Sequence, residues 1–169
     1  CKYLPDQEYK LKDYKDREID IIFYTKFADT KKYMNMAIQL QSKLQNEGYK
    51  LYYASYGKYK KTELMKTAEN AKYVIYFSTF DNGPSALIEL ISFGCYCFVL
   101  QPEFLFLDNG LYVHEMLNDT NYAFNKMDDV IKKHMKNPIN CQMLGEMNRK
   151  HYSCYRSFDV LCDQIHELR

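Results

Sequence analysis

Residues 72–100, KYVIYFSTFDNGPSALIELISFGCYCFVL, set an acidic, glycine-containing turn between one buried strand and a helix that leads into another. Positions 73–77 are apolar on both alternations, as a strand covered on both faces of a parallel sheet must be. Phe80-Asp81-Asn82-Gly83 breaks that run. Pro84 suits a first helical position, Ala86, Leu87, Leu90 and Ile91 recur at helical spacing, and Gly94 closes the helix before a strand over 95–100. Amides at such a helix N-terminus face the carboxyl end of the sheet, where an anionic ligand finds both N–H donors and a favourable dipole.

The same alternation extends upstream. Residues 19–25 read as a strand, and the stripe Tyr33, Ala37, Leu40, Leu44 as a helix that Gly48 ends; 51–54 is a second strand and 61–71 a second helix. Alternating strands and helices predict an α/β, Rossmann-like parallel sheet with helices on both faces and right-handed crossovers. Residues 1–18, polar and containing Pro5, form a lead-in or connector, and 19–169 the domain. Downstream the pattern weakens. It predicts a loop over 101–109, a short helix over 111–117, a short edge strand at 122–124 and a helix over 128–135. Asn137-Pro138 then caps a helix reaching about residue 152, and a last helix starts at Ser157 or Phe158.

Chemistry concentrates at the carboxyl ends of these strands. Lys26 ends the first strand and Lys31 opens the next helix, so both can address a diphosphate beside the amides of Gly83, Pro84's neighbour Ser85, and Ala86. Two solvated lysines beside a helix cap would look the same. Glu89 is a carboxylate within the apolar run Ala86-Leu87-Ile88-Glu89-Leu90-Ile91; it needs a partner or an exposed face, because burying an unpaired charge is costly. Asp81 sits at the mouth of the turn, where a local side-chain to backbone bond is the plain alternative to a ligand contact. Tyr56 and Gly57 follow the second strand, at the ligand end of a doubly wound sheet.

Asp81 and Glu89 are separated by seven residues. This segment resembles the acidic signature of retaining glycosyltransferases of the GT-B fold, family 4 type, with aspartate replacing the usual first glutamate. Residues 19–25 resemble the first strand of that family's nucleotide-sugar domain, Lys26 and Lys31 hold the spacing of its basic pair with lysine in place of arginine, and 137–168 resemble its closing helices. The resemblance implies a donor domain for a UDP- or GDP-activated hexose transferred with retention. Glu89 would take the ribose diol, Asp81 the sugar hydroxyls, and Lys26 with Lys31 the leaving diphosphate. Gly83, Pro84, Ser85, Ala86, Tyr56 and Gly57 would line the donor. It implies no metal and no other cofactor. It also implies a missing N-terminal acceptor domain, in cis or as a separate subunit, since 169 residues hold one such domain. The chain alone would then bind without transferring. Cys1 in place of an initiator methionine fits a processed or excised piece.

Composition narrows the classes further. Lys and Arg number 23 against 22 Asp and Glu, so the formal charge of +1 provides no field for nucleic acid or an anionic membrane. The aromatic and lysine-rich stretch 49–61 invites a base-stacking reading, but a strand with alternating exposed tyrosines accounts for it. Six cysteines lack CxxC pairs, and the four histidines form no HxxxH or HExxH arrangement, which argues for free thiols and against a zinc site. No run approaches the roughly 20 apolar residues of a membrane-spanning helix, and a cytoplasmic place follows, peripheral to a membrane only through the missing domain. Two rival functions fit the same residues: a non-catalytic nucleotide-sugar binding subunit, and an N-glycoside-cleaving enzyme of the deoxyribosyltransferase or TIR type.

Overall fold

The computed structural model describes residues 11–26, 31–78, 85–100 and 120–154. Four strands, β1 (Ile19–Lys26), β2 (Leu51–Ser55), β3 (Ala71–Ser78) and β4 (Tyr96–Leu100), form one sheet in the order β2-β1-β3-β4. Every pairing is parallel, running from Ile21↔Leu51 to Thr25↔Ser55, from Ile19↔Ala71 to Lys26↔Ser78, and from Tyr73↔Tyr96 to Phe77↔Leu100. Helices α1 (Lys31–Asn46), α2 (Lys61–Ala68), α3 (Ser85–Ser92), α4 (Thr120–Met135) and α5 (Pro138–Cys154) complete it. The protein is thus the α/β, Rossmann-like parallel sheet that its sequence predicts.

Both faces of the sheet are covered, which explains the unbroken apolar strands. Ile21 and Phe23 of β1 join Ile75, Phe77 and Phe98 beneath α1, α4 and α5. Their neighbours Ile22 and Tyr24 turn the other way, with Val74, Tyr76, Cys97 and Val99, beneath α2 and α3. The alternation of period two therefore feeds two cores instead of one core and a wet face. Helix ends follow the expected punctuation at α1, α3 and the start of α5, whereas the second helix, expected to reach residue 71, stops at Ala68, and Ala71 already pairs in β3. Gly48 and Gly94 take the left-handed conformation at φ 90° and 70° that a helix stop favours, and the Asn137 side chain accepts from the Asn140 amide at 3.2 Å to cap α5.

The edge strand expected at 122–124 is absent: those residues are the first turns of α4. Three aromatic or apolar positions are too few to separate a period of 2 from one of 3.6, and the helix is decided by its later seat, with Met127 and Ile131 fully buried. Lys43 of α1 meets Asp128 of α4 at 2.5 Å, and Lys132 reaches both Asp128 (3.1 Å) and Glu47 (2.6 Å). The expected loop over 101–109, the helix over 111–117 and the last helix from 157 lie outside the described residues.

Part of the lead-in belongs to the core. Tyr14, in a single 3-10 turn (Tyr14–Asp16), is 3 % exposed; its hydroxyl accepts from the Tyr96 amide at 2.8 Å and donates to the Gly94 carbonyl at 3.1 Å. Gly145 of α5 closes on the same spot, because a Cβ there would lie inside van der Waals contact of the Gly94 carbonyl oxygen and 3.1 Å from the Tyr14 hydroxyl. Gly145→Ala would gain about 1 kcal/mol of helix propensity. The clash is with backbone, however, and overpacking costs about 1–3 kcal/mol. We expect a net loss of stability, read as a lower urea midpoint; a higher midpoint would show that α5 does not sit this close.

Candidate functional site

The order β2-β1-β3-β4 puts a switch point between β1 and β3. The connection leaving β1 goes to one side of it, and the chain returns to the other. Ligands of open parallel sheets bind outside the carboxyl ends of the two strands flanking such a point. Lys26 and Ser78 are the paired last residues of those strands.

At this edge the end of β2 is tied to the end of β1. The Tyr56 amide donates to the Thr25 carbonyl at 2.9 Å, and the Thr25 and Ser55 hydroxyls are 2.9 Å apart. Lys26 Nζ rests 4.8 Å from the centroid of the Tyr56 ring, a cation–π contact that aims the ammonium toward the rim. Tyr56 is 62 % exposed, and Gly57 turns at φ 75° with open space around its α-carbon. Three of the expected residues, Lys26, Tyr56 and Gly57, thus share one end of the sheet.

Ser85 and Ala86 begin α3, the next described element after β3. Lys31 is the first residue of α1, with its side chain outside the described set. Asp81, Gly83 and Pro84 lie outside the described residues altogether.

Glu89 is buried, at 6 % exposure, and is not an exposed helix residue. Its Oε1 accepts from Lys61 Nζ at 2.5 Å, while Oε2 makes no hydrogen bond among the described residues. Lys61 is the first residue of α2 and remains 44 % exposed, so a half-wet cation neutralises a buried anion between two helices. This partner is one the sequence reading passed over. A signal for it existed: Lys60 and Lys61 place positive charge at a helix N-terminus, where the dipole disfavours it by about 0.3–1 kcal/mol. Such a lysine wants an anion nearby.

The α2 and α3 face also holds three tyrosines that the sequence reading did not single out. Tyr24 and Tyr76, adjacent in register on β1 and β3, stack at 4.7 Å with planes 4° apart, and the Tyr24 hydroxyl lies 3.3 Å from that of Tyr59. They put polar aromatic tips toward the carboxyl half of the sheet. The reading of alternating exposed tyrosines in β2 holds for Tyr53, which is 47 % exposed, whereas Tyr52 packs onto the inner cluster.

Cys95 and Cys97 share one face of the sheet and are free and buried. Burial pushes the Cys95 thiol up to about 11 and Cys97 well above its usual value, so both are apolar fillers at neutral pH. Cys141 is also free and buried, and burial pushes it up to about 11. Among the described residues no three His, Cys, Asp or Glu side chains gather as a metal site, and no helix is long and apolar enough to cross a membrane. A cavity of about 470 Å³ opens at the opposite, amino end of the sheet, lined by Tyr14, Tyr49, Tyr73, Met135 and Ile139 with the Asp20–Lys72 ion pair at its rim. It lies away from Lys26 and Tyr56. Comparison of the chain with protein-family models, curated proteins and solved structures returns no match.

Proposed function

We propose that this chain is the nucleotide-sugar-binding domain of a retaining glycosyltransferase of the GT-B type, which binds a UDP- or GDP-activated hexose at the carboxyl ends of β1 and β3. The carrying observation is Glu89: a buried carboxylate on the helix after β3, one oxygen held by Lys61 and the other without a hydrogen-bond partner among the described residues. Such a group suits a ribose hydroxyl, which can donate to the oxygen that Lys61 leaves unoccupied. Lys26 and Lys31 take the diphosphate and stabilise it as a leaving group, an electrostatic role that asks for no metal. The strand order supports this reading as well. A six-strand order 3-2-1-4-5-6 that lacks both its edge strands, the third and the sixth, becomes 2-1-3-4 when renumbered.

The reaction needs an acceptor aligned against the donor. In this reading the acceptor comes from a second domain, so the chain alone binds nucleotide without transferring sugar. Calorimetric titration with UDP and GDP, without added metal, should reveal weak binding of one or both. Replacing Lys26 and Lys31 together by alanine should weaken the diphosphate roughly tenfold or more while leaving the nucleoside nearly unchanged, because only the former carries phosphate. Failure of UDP and GDP alike to bind would overturn the proposal.

A second reading draws on the same glutamate. The order 2-1-3-4 is also that of the first four strands of single-domain flavodoxin-like sheets, in which Glu89 would attend the sugar of a nucleoside undergoing N-glycoside cleavage. Release of free base from a nucleoside or dinucleotide by the chain alone would favour that reading over transfer.

A further inference from the structure

We infer that Lys61 is a positioning residue for ribose recognition: it holds Glu89 by one oxygen and leaves Oε2 to read the sugar hydroxyls. The inference rests on the reading of Glu89 as a nucleotide contact and extends it to a residue 28 positions upstream on a different helix.

Three observations carry it. The Glu89 side chain is 7 % exposed and the Lys61 side chain 44 %, so the carboxylate has lost most of its water and the ammonium has not. Burying a carboxylate without a partner is costly, and Lys61 is the cation that stands beside it, at 2.5 Å. The contact is one-sided: Oε1 is taken by the Lys61 ammonium, while Oε2 makes no hydrogen bond among the described residues. Lys61 also opens α2 just beyond the turn that carries Tyr56 and Gly57, which places the pair behind the rim where Lys26 rests on Tyr56. Without Lys61 the Glu89 carboxylate loses the contact that fixes its rotamer, and Oε2 is no longer held where ribose hydroxyls would meet it.

The distinctive consequence is selectivity for ribose, not general affinity. Native protein should bind UDP or GDP about tenfold or more tightly than the matching 2′,3′-dideoxynucleoside diphosphate, the loss of a charge-assisted hydrogen bond. Lys61→Met should bring that ratio to within about twofold of unity, and Lys61→Arg, which keeps a cation in reach, should restore most of it. Thermal unfolding of each variant separates selectivity from folding. The double variant Lys61→Met with Glu89→Gln removes both charges and remains informative if Lys61→Met folds poorly; its ratio should equal that of Glu89→Gln alone. A native ratio in Lys61→Met, or a further change of ratio in the Glu89→Gln background, overturns the positioning role while leaving the nucleotide reading intact. Absence of binding by the native protein overturns both.

Discussion

Replacing Arg17 by methionine should lower the stability of this protein by roughly 3 kcal/mol, the largest loss expected from any single side chain outside the strands. Arg17 is only 4 % exposed and has no carboxylate partner among the described residues. Its guanidinium instead donates to backbone carbonyls: Nη1 to Ala71 at 2.5 Å, Nη2 to Phe93 at 3.0 Å and Nε to Lys12 at 3.0 Å, and it lies 5.0 Å from the centroid of the Tyr14 ring. These carbonyls belong to the start of β3, the turn between α3 and β4, and the lead-in. Methionine fills much of the aliphatic stem's volume but donates nothing, leaving three carbonyls short of a donor at about 1–3 kcal/mol each where water cannot enter. Relief from burying the charge offsets part of that cost. Arg17→Lys should fall between, because one ammonium cannot reproduce a planar fork reaching three separated acceptors. Urea unfolding measures both; a loss below about 1 kcal/mol for Arg17→Met would mean that water takes over the carbonyls and that the lead-in is not a staple.

Glu89→Gln should weaken UDP or GDP by roughly 1.5–3 kcal/mol, the worth of a hydrogen bond to a charged acceptor. The substitution keeps the shape and removes the charge. A 2′,3′-dideoxy analogue should be nearly insensitive to it, since the hydroxyls that Glu89 would hold are already gone. Stability should change little, within about 1 kcal/mol. Glutamine relieves the cost of burying a carboxylate, and Lys61, being 44 % exposed, recovers water in place of its partner. Equal binding of UDP and GDP by the variant and the native protein would reduce the Lys61–Glu89 pair to a tie between α2 and α3.

The four strands of the sheet and the stops of α1 and α3 are legible in the sequence. A strand buried on both faces needs apolar side chains at every position, so 19–25 and 73–77 read correctly without knowledge of their neighbours, and the structure extends them only to Lys26 and to Ala71 and Ser78. Gly48, Gly94 and Asn137-Pro138 act through local backbone geometry, which is encoded where it is used. The placing of Lys26, Tyr56 and Gly57 at one end of the sheet followed from the same alternation, because in a parallel sheet all carboxyl ends face one way. Tertiary structure alone decided the rest. The residues at 122–124 became helical because α4 is held by its later contacts. Arg17 reached carbonyls 54 and 76 positions away, Gly145 stayed small for a carbonyl on another element, and Glu89 found its cation 28 residues upstream. Each of these depends on which distant groups the fold brings within hydrogen-bond or van der Waals range, and such short-range forces leave no periodic trace along the chain that supplies them.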